Sequence, residues 1–396
     1  MFQQIEPAQQ DPILGLTEAF KNDQRPNKIN LGVGIYQDAH GQTPTLPSVK
    51  AAAERVAAGM DSLAYRPMTG LASYNAAVQR LLLGDGHEAT TSRRARTAQT
   101  PGGSGALRVV GDFLANSLPG VTVWISDPTW PNHAGIFSAA KVSLAKYPYF
   151  DKTHSRLAIS EMLSALNEIP SGDAVLLHGC CHNPSGVDPT PEQWQEIAEV
   201  VVGRKLLPIV DFAYQGFGDG LHEDAIGLRA LLQPEVEMII CSSFSKNFGL
   251  YSERTGAVTF ISKQADIADR VESQVKRAIR ANYSNPPSFG ARVVATILDD
   301  ASLRQQWEGE LAEMRDRING MRRLLSERLK AKGVPGDYSF ITRQRGMFSF
   351  SGLTKEQVLR LREEFAIYVV DSGLINVAGL TEENVDRVVE AVAAVV

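Results

Sequence analysis

The most reactive group suggested by the sequence is a lysine flanked by hydroxyl side chains. Residues 242–256, SSFSKNFGLYSERTG, place Lys246 just after a short apolar run, and Arg254 follows eight positions later. A lysine at the end of a buried strand is partly desolvated, which lowers its pKa and lets its amine form a Schiff base with a carbonyl. A solvated loop lysine is the alternative interpretation. The neighbouring hydroxyls and Arg254 favour the chemical role.

The segments before and after this lysine predict an alternating α/β fold between about residues 95 and 260. A mostly parallel sheet covered by helices on both faces is expected, with ligands bound beyond the carboxyl ends of its strands. The short apolar runs that predict buried strands are Val121–Ser126, Ala174–His178, Leu207–Asp211 and Met238–Ser242. The segments with helical periodicity are Ser104–Ser117, Pro191–Val202 and Asp224–Leu232.

The pattern changes from about residue 301, where a second, smaller α+β domain is expected. Ala301–Lys332 predicts a long, charged amphipathic helix. A short β segment at Gly346–Ser351, a helix at Thr354–Phe365, a strand at Ile367–Val370 and a terminal helix should follow. We therefore predict a large α/β domain over residues 45–310. The small domain would combine residues 1–44 and 311–396.

Composition excludes several classes of protein. The 396 residues include 40 Lys and Arg against 45 Asp and Glu, a net charge of −5, so a nucleic-acid partner is not expected. No apolar stretch approaches the roughly 18 residues that cross a bilayer, which predicts a cytoplasmic protein without a membrane partner. The three cysteines cannot form a disulfide framework, and the sequence shows no CxxC or HExxH metal motif.

Six further segments, together with the lysine segment, carry a resemblance to a known family. They are Gln99–Leu107 (QTPGGSGAL), Asp127–His133 (DPTWPNH), Gly179–Gly186 (GCCHNPSG), Asp211–Phe217 (DFAYQGF), Ile279–Pro287 (IRANYSNPP) and Gly346–Gly352 (GMFSFSG). In these segments, which follow one another in the expected order, the chain resembles the fold-type I, class I pyridoxal-phosphate aminotransferases of the aspartate and aromatic-amino-acid subgroup. The resemblance implies pyridoxal 5′-phosphate as cofactor, a mostly parallel seven-stranded sheet in the large domain, and a homodimer.

Two residues would carry the catalytic charge and proton transfers if the resemblance holds. Lys246 is expected to bind the cofactor covalently and, once released by substrate, to move the proton at the substrate Cα. Asp211 would pair with the pyridine nitrogen and keep it protonated, which makes the ring an electron sink. The alternative for Asp211 is a helix N-cap.

The resemblance also assigns the residues around the cofactor ring. Tyr214 and Asn183 would hydrogen-bond its phenolic oxygen, and ordinary turn formation is the alternative for both. Trp130 would stack on the ring face, with His133 behind it as a partner of Asp211. Packing is the alternative role for Trp130 and His133.

A phosphate site is implied by small and hydroxyl residues near a predicted helix N-terminus. Backbone N–H groups can approach a dianion there, and Arg254 adds a bidentate donor. The lysine of a P-loop is missing, which argues against that alternative. Tyr65, in AYRPMTG, would reach the phosphate of the neighbouring subunit, or else would be a packed surface tyrosine. The remaining expected phosphate contacts are Gly103, Ser104, Ser243 and Ser245.

Substrate contacts follow the subgroup except at one position. Gly34 matches a loop that closes over the substrate, and Arg280 matches the partner-subunit arginine that pairs with a distal carboxylate. Trp130 and Asn183 also match substrate contacts. In Ser372–Gly379, SGLINVAG, Leu374 stands where the subgroup has the arginine that binds the α-carboxylate. An unpartnered carboxylate in a desolvated pocket costs about 3 to 5 kcal/mol, or roughly 10²- to 10³-fold in kcat/KM.

Three explanations of Leu374 remain open. It is either a natural change toward substrates lacking an α-carboxylate, or an introduced substitution, or it is compensated by Arg343 or Arg345. The sequence thus predicts an aminotransferase that moves an amino group between an aromatic or dicarboxylic amino acid and a 2-oxo acid such as 2-oxoglutarate. A decarboxylase or lyase, an aminotransferase for amines, and a non-enzymatic descendant are the alternatives.

Overall fold

The computed structural model describes residues 1–7, 12–60, 62–234 and 236–396, which fall into two compact units. Residues 44–183 and 187–316 form the large unit, and residues 1–43, 184–186 and 317–396 form the small unit. The strands are β1 (Ile29–Asn30), β2 (Ala95–Pro101), β3 (Thr122–Asp127), β4 (Ser143–Pro148), β5 (Phe150–Asp151), β6 (Arg156–Leu157), β7 (Ala174–His178), β8 (Leu207–Phe212), β9 (Met238–Ser243), β10 (Thr255–Ile261), β11 (Phe348–Phe350), β12 (Ile367–Tyr368) and β13 (Leu374–Asn376).

Helices account for most of the remaining described chain. They are α1 (Pro12–Asn22), α2 (Pro47–Ala58), α3 (Ala72–Leu83), α4 (Glu88–Thr91), α5 (Gly102–Ser117), α6 (Asn132–Ala139), α7 (Ile159–Glu168), α8 (Pro191–Gly203), α9 (Ile226–Leu231), α10 (Ala265–Asn282), α11 (Phe289–Asp299), α12 (Ala301–Ala331), α13 (Phe340–Arg343), α14 (Lys355–Phe365) and α15 (Val385–Val395).

The large unit is built on a seven-stranded sheet in the order β2-β10-β9-β8-β7-β3-β4. The pairs from β9 to β4 are parallel, and β10 runs antiparallel to both of its neighbours. The prediction of a mostly parallel seven-stranded α/β sheet is therefore confirmed. All five residues of β7, which are four apolar residues and His178, are buried, as expected for a strand covered on both faces.

Parallel order brings the carboxyl ends of β7, β8 and β9 to one edge of the sheet. His178 pairs in register with Asp211, and Asp211 pairs with Cys241. The segments that leave these strands carry most of the candidate site residues. This is the edge at which open α/β sheets bind ligands.

The small unit contains two short two-stranded sheets and the helices near the chain ends. β1 pairs in parallel with β12, and β11 pairs antiparallel with β13 so that Leu374 lies opposite Phe350. Helix α14 begins at a capping box in which Thr354 and Gln357 each bond the other's backbone N–H. This box defines the helix start that the sequence predicts.

Some predicted elements are shorter in the structure. The helix expected over Asp224–Leu232 begins as a 3₁₀ turn, Glu223–Ala225, and α9 covers only the six residues that follow. The strand expected over Ile367–Val370 is two residues long, and that expected over Gly346–Ser351 is three. The turn differs because the Asp224 carboxylate accepts bonds from backbone N–H groups of the preceding loop instead of capping an α-helix.

None of the three cysteines forms a disulfide bond, and all three are buried. Burial raises the pKa of the Cys180 and Cys241 thiols well above the ordinary range. Within the described parts of the chain, no helix combines the length and the apolar character that a membrane crossing requires.

Candidate active site

Asp211 is held by a histidine at the carboxyl edge of the sheet. It is the fifth of six residues in β8, so the helix N-cap alternative is wrong. His133, in the first turn of α6, is fully buried, and its Nε2 lies 2.9 Å from Asp211 Oδ2. Burial alone would raise the pKa of Asp211, but the hydrogen bond from His133 and the electrostatic effect of the neighbouring basic side chains lower it overall. The carboxylate is therefore kept ionised.

The hydrogen bonds behind His133 have a defined direction. The Asn183 backbone N–H donates to His178 Nδ1 over 3.0 Å, which leaves the His178 proton on Nε2. That nitrogen lies 3.3 Å from Thr129 Oγ1, and the same hydroxyl lies 2.8 Å from His133 Nδ1. His178 donates to Thr129, Thr129 donates to His133, and His133 Nε2–H donates to Asp211. The chain of bonds thus fixes the tautomer of His133.

Thr129 and His178 were not identified from the sequence. Both lie within or next to segments that carry the family resemblance, at the carboxyl ends of β3 and β7. Their only sequence signal is a polar residue at the end of a buried strand. A third histidine, His182, stacks on His178 with ring centroids 4.3 Å apart, and burial lowers the pKa of both rings.

Lys246 follows β9 and lies in a largely buried environment. Its Nζ is 4.7 Å from the centroid of the Tyr214 ring. Burial lowers the pKa of Lys246, the charge of Asp211 opposes that shift, and the charge of Arg254 adds to it. The lowered pKa increases the fraction of neutral amine, the form that attacks a carbonyl carbon, relative to an exposed lysine.

Tyr214 and Asn183 lie together, as their expected shared role requires. Asn183 Nδ2 donates to the Tyr214 hydroxyl over 3.3 Å, and both side chains are buried. Trp130 is partly buried against the large core, and its ring meets the edge of His133 at a centroid distance of 5.3 Å. The packing role of Trp130 and the proposed stacking role are thus compatible.

Apart from Tyr65, the predicted phosphate residues lie together around the start of α5. Ser243 Oγ donates to Ser245 Oγ over 3.2 Å, and Arg254 Nη1 lies 3.3 Å from the same Ser245 hydroxyl. A Cβ added to Gly103 would lie only 3.1 Å from Ser243 Cβ. Small residues therefore allow the helix N-terminus, where Ser104 also lies, to approach the serines and the guanidinium.

Gly102 shows why glycine is needed at this helix start. Its φ is +70°, and a Cβ there would lie 2.6 Å from Arg254 Nη2. A larger residue would displace the guanidinium from the helix end. The resulting group of a cation, two hydroxyls and free helix N–H donors is suited to a phosphate dianion.

Within the small unit, Gly34 and Leu374 are linked by Asn376. The side-chain amide of Asn376 donates to both carbonyls that flank Gly34, Val33 O at 2.6 Å and Ile35 O at 2.8 Å. Asn376 belongs to β13, the strand that begins at Leu374. Leu374 is 6% exposed and offers no hydrogen-bond donor from its side chain. Asn376 is a further residue that sequence reasoning missed.

Two predicted site residues stand apart from these groups. Arg280 is exposed near the end of α10 and donates to the Ser284 hydroxyl. Tyr65 is 92% exposed, so the alternative of a packed surface tyrosine is wrong. Both residues were expected to act in a neighbouring subunit, and their exposure is compatible with that expectation.

Comparison with known proteins identifies the family. The sequence profile described as "Aminotransferase class I and II" matches residues 26–392. The aspartate aminotransferase of Escherichia coli (strain K12) is 52% identical over 395 residues, with 100% of both chains covered. The aromatic-amino-acid aminotransferase of the same strain is 44% identical over 396 residues, again with complete coverage.

A solved structure is equally similar. The aromatic-amino-acid aminotransferase from Burkholderia pseudomallei, covalently bound to pyridoxal phosphate, matches with a TM-score of 0.97 and 49% identity. The match covers 100% of this chain and 99% of that one.

The chain belongs to the class I and II aminotransferases. It is a fold-type I aminotransferase of the aspartate and aromatic-amino-acid subgroup. The prediction of a pyridoxal-phosphate-dependent enzyme is therefore confirmed.

Proposed function

We propose that the enzyme transfers an amino group between an aromatic or dicarboxylic amino acid and a 2-oxo acid such as 2-oxoglutarate, in two successive half-reactions. The observation that supports this most directly is a buried lysine near a histidine-held carboxylate. Burial lowers the pKa of Lys246, and at Asp211 the hydrogen bond from His133 outweighs the effect of burial, so that the pKa of Asp211 is lowered too. These are the two groups that a proton transfer at an amino-acid Cα requires.

The large unit fits pyridoxal 5′-phosphate by its set of donors and acceptors. Lys246 supplies an amine, Asp211 a carboxylate, and Asn183 with Tyr214 an amide and a phenol. The start of α5 with Arg254 supplies the phosphate cradle. When bound, the cofactor provides a cationic ring that accepts electrons from the substrate Cα.

Each residue then has a defined task. The ionised Asp211 would hold a proton on the ring nitrogen of the cofactor, and the Nε2–H of His133 keeps Asp211 in place. With the cofactor bound, the Lys246 amine would take the proton from the substrate Cα as a base and deliver it to the cofactor carbon as an acid. Trp130, whose ring contacts His133, would cover one face of the cofactor ring and exclude water.

Substrate recognition is proposed to depart from the subgroup at Leu374. Arg280 would bind the distal carboxylate of a substrate in the neighbouring subunit, and Gly34 would close over the substrate through its backbone. Leu374 supplies no partner for the α-carboxylate, which disfavours ordinary amino acids. This observation supports an altered substrate preference, natural or introduced.

The lack of a carboxylate partner at Leu374 also supports a second candidate function. A substrate whose α-carboxylate is not held can bind rotated, so that the bond to the carboxylate is the one cleaved, as in a decarboxylase. Alternatively, an amine without an α-carboxylate can use the apolar Leu374 position directly. These two reactions differ from transamination of amino acids in their products.

The visible spectrum of the holoenzyme separates these candidates. L-phenylalanine, L-aspartate and 2-phenylethylamine are added in turn, and the loss of the cofactor band, released CO₂ and 2-oxo acid are measured. Fast bleaching with 2-oxo acid from the amino acids supports their transamination and contradicts the altered preference. Bleaching by the amine alone supports the amine reaction, and CO₂ without 2-oxo acid supports decarboxylation. A protein that takes up no pyridoxal phosphate contradicts all of them.

We also propose that the enzyme is a homodimer of two-domain subunits. Tyr65 is nearly fully exposed, which supports its expected contact with the phosphate in a neighbouring subunit and hence a homodimer. Residues 45–310 are proposed as the cofactor-binding domain, with 1–44 and 311–396 as the small domain. We propose a cytoplasmic location with small-molecule substrates and no nucleic-acid or membrane partner. Equilibrium sedimentation tests the dimer, which a monomeric holoenzyme would contradict.

A further inference from the structure

The hydrogen bond between Asn183 and Tyr214 depends on two segments that are neither helix nor strand. Asn183 lies five residues beyond the last residue of β7, and Tyr214 lies two residues beyond β8. Loop backbone is usually more mobile than the elements that it connects. Something other than the sheet must therefore hold these two side chains at 3.3 Å.

A carboxylate holds the first segment. Asp188 Oδ2 accepts from the Cys181 backbone N–H over 2.7 Å, and Oδ1 accepts from the His182 N–H over 2.8 Å. The next N–H, that of Asn183, donates to His178 Nδ1. Three consecutive backbone donors are thus bound by side chains, which defines the path of the chain into Asn183.

The backbone in this turn needs such support. Cys181 has a φ of +51°, in the left-handed region that non-glycine residues rarely occupy, at a typical cost of about 1–2 kcal/mol. Hydrogen bonds that an ionised carboxylate accepts are roughly twice as strong as bonds between neutral groups. The two bonds to Asp188 therefore offset the unfavourable conformation directly before His182 and Asn183.

A second carboxylate holds the segment that follows Tyr214. Asp224 Oδ2 accepts from Gly216 N at 2.7 Å and Gly218 N at 2.9 Å, and Oδ1 accepts from Asp219 N at 2.8 Å. A Cβ on Gly218 would lie 2.4 Å from Asp224 Oδ1, so the close wrapping of the loop requires glycine. Asp224 is itself buried, at 6% exposure.

The two held segments touch each other. Cys181 Sγ lies 4.0 Å from the Tyr214 carbonyl oxygen. The same sulfur lies within 4.8 Å of a carboxylate oxygen of Asp224. The left-handed residue held by Asp188 therefore packs against the backbone of the residue whose loop is held by Asp224.

We propose that Asp188 and Asp224 are paired positioning residues: Asp188 orients the Asn183 amide, Asp224 orients the Tyr214 hydroxyl, and together they set the hydrogen bonding at the cofactor's phenolic oxygen. This proposal rests on the proposed function, which places Asn183 and Tyr214 at that oxygen. Neither aspartate touches the cofactor or substrate in this scheme. Each acts only through the residue that it orients.

The proposal predicts the direction in which the pH midpoint of the cofactor's visible band will move when either aspartate is replaced. Donors to a phenolic oxygen stabilise its anionic form, so their misplacement makes the oxygen and its attached chromophore bind a proton more tightly. The pH midpoint of the cofactor's visible band should therefore rise. Loss of one hydrogen bond to a charged group corresponds to an upward shift of about one pH unit.

The experiment compares the holoenzyme with Asp188→Asn, Asp224→Asn and the matched control Asp300→Asn. Asp300 also accepts two backbone N–H bonds, from Ser302 at 2.9 Å and Leu303 at 3.0 Å, but at the start of α12. Spectra are titrated with pH, and melting temperature is recorded separately. An upward midpoint shift in the first two variants and none in the control supports the proposal. Equal midpoints in all three overturn it.

A double-mutant cycle distinguishes positioning from general destabilisation. If Asp188 acts through the Asn183 amide, Asp188→Asn should add no further midpoint shift to Asn183→Ala. Full additivity of the two shifts would overturn the proposal. If Asp188→Asn does not fold, Asp188→Ser, which keeps one acceptor oxygen, replaces it with the same two criteria.

The proposed function can fail independently. A wild-type protein that shows no pyridoxal-phosphate band, or a Lys246→Ala variant with an unchanged band, would contradict the proposed function itself. A normal wild-type titration combined with unshifted aspartate variants would contradict only the positioning role.

Discussion

His133 Nε2 lies 2.9 Å from Asp211 Oδ2, and the opposite ring nitrogen of His133 lies 2.8 Å from Thr129 Oγ1. The imidazole therefore connects a strand-end carboxylate to a hydroxyl that also contacts His178. Because the Asn183 N–H can only donate, every proton in this series is assigned. The carboxylate receives a bond whose direction does not depend on the bound ligand.

Removal of the carboxylate should be the most damaging change in this series. We expect Asp211→Ala to lower kcat/KM by about 10²- to 10³-fold, because a buried cationic ring nitrogen would lose its partner. Asp211→Glu keeps the charge and should retain more activity. The measurement is steady-state kinetics with cofactor saturation verified by absorbance, and equal losses in the two variants would contradict a charge-pairing role.

The Thr129 hydroxyl should act through the tautomer of His133. Thr129→Val removes the donor to His133 Nδ1 while keeping the side-chain shape, and Thr129→Ser keeps the hydroxyl. We expect the valine variant alone to change the ¹⁵N shifts of the His133 ring and to lower kcat about 5- to 10-fold, the effect of one lost hydrogen bond. Identical ring shifts in wild type and Thr129→Val would show that the hydroxyl does not set the tautomer.

Buried histidine should make the apoenzyme acid-sensitive. Burial, and secondarily the charge of His133, lowers the pKa of His178 from 6.5 to about 3. As pH falls below 6.5, the unfolded chain binds a proton that the folded chain does not, so the free energy of unfolding decreases. The free energy of unfolding should recover when the pH is raised above 6.5.

Urea unfolding at pH 7 and pH 5 measures this linkage. We expect His178→Gln to reduce the difference in unfolding free energy between the two pH values by about 2 kcal/mol. His40→Gln, at an exposed position, serves as the control. A pH difference as large in His178→Gln as in wild type would mean that His178 takes up its proton in the folded state as well.

Leu374 can be tested by restoring a cation. Leu374→Arg should raise kcat/KM for L-aspartate and L-phenylalanine by roughly 10²- to 10³-fold, since a buried carboxylate regains its partner. Leu374→Met, which changes shape but supplies no donor, should leave both values near those of wild type. If the arginine variant gains nothing, the α-carboxylate is already bound by another group.

The sequence predicted the architecture better than the detailed contacts. The strands at Ala174–His178 and Met238–Ser242 are unbroken apolar runs, so burial on both faces made them recognisable. The turn at Glu223–Ala225 was missed because the Asp224 carboxylate binds N–H groups of the preceding loop, and helical periodicity does not report such bonds.

In the candidate site, too, some residues could be predicted from the sequence and others could not. Lys246, Asp211 and Arg254 were found because reactive side chains stand within recognisable segments. Thr129 and Asp188 were missed because their importance comes from their hydrogen-bond partners. Thr129 contacts His178, which lies 49 residues away in the chain, and Asp188 accepts from the backbone N–H of Cys181 across a turn. Polar residues of this kind have no distinctive local pattern.

The three buried cysteines also have a practical consequence. Thiolates are the species that react with maleimides and similar reagents, and burial keeps the Cys180 and Cys241 thiols protonated as well as shielded. A single cysteine introduced at the exposed position Leu63 should therefore be modified selectively in the folded enzyme. The native chain is in this respect ready for attachment of a fluorophore or spin label without prior removal of its own cysteines.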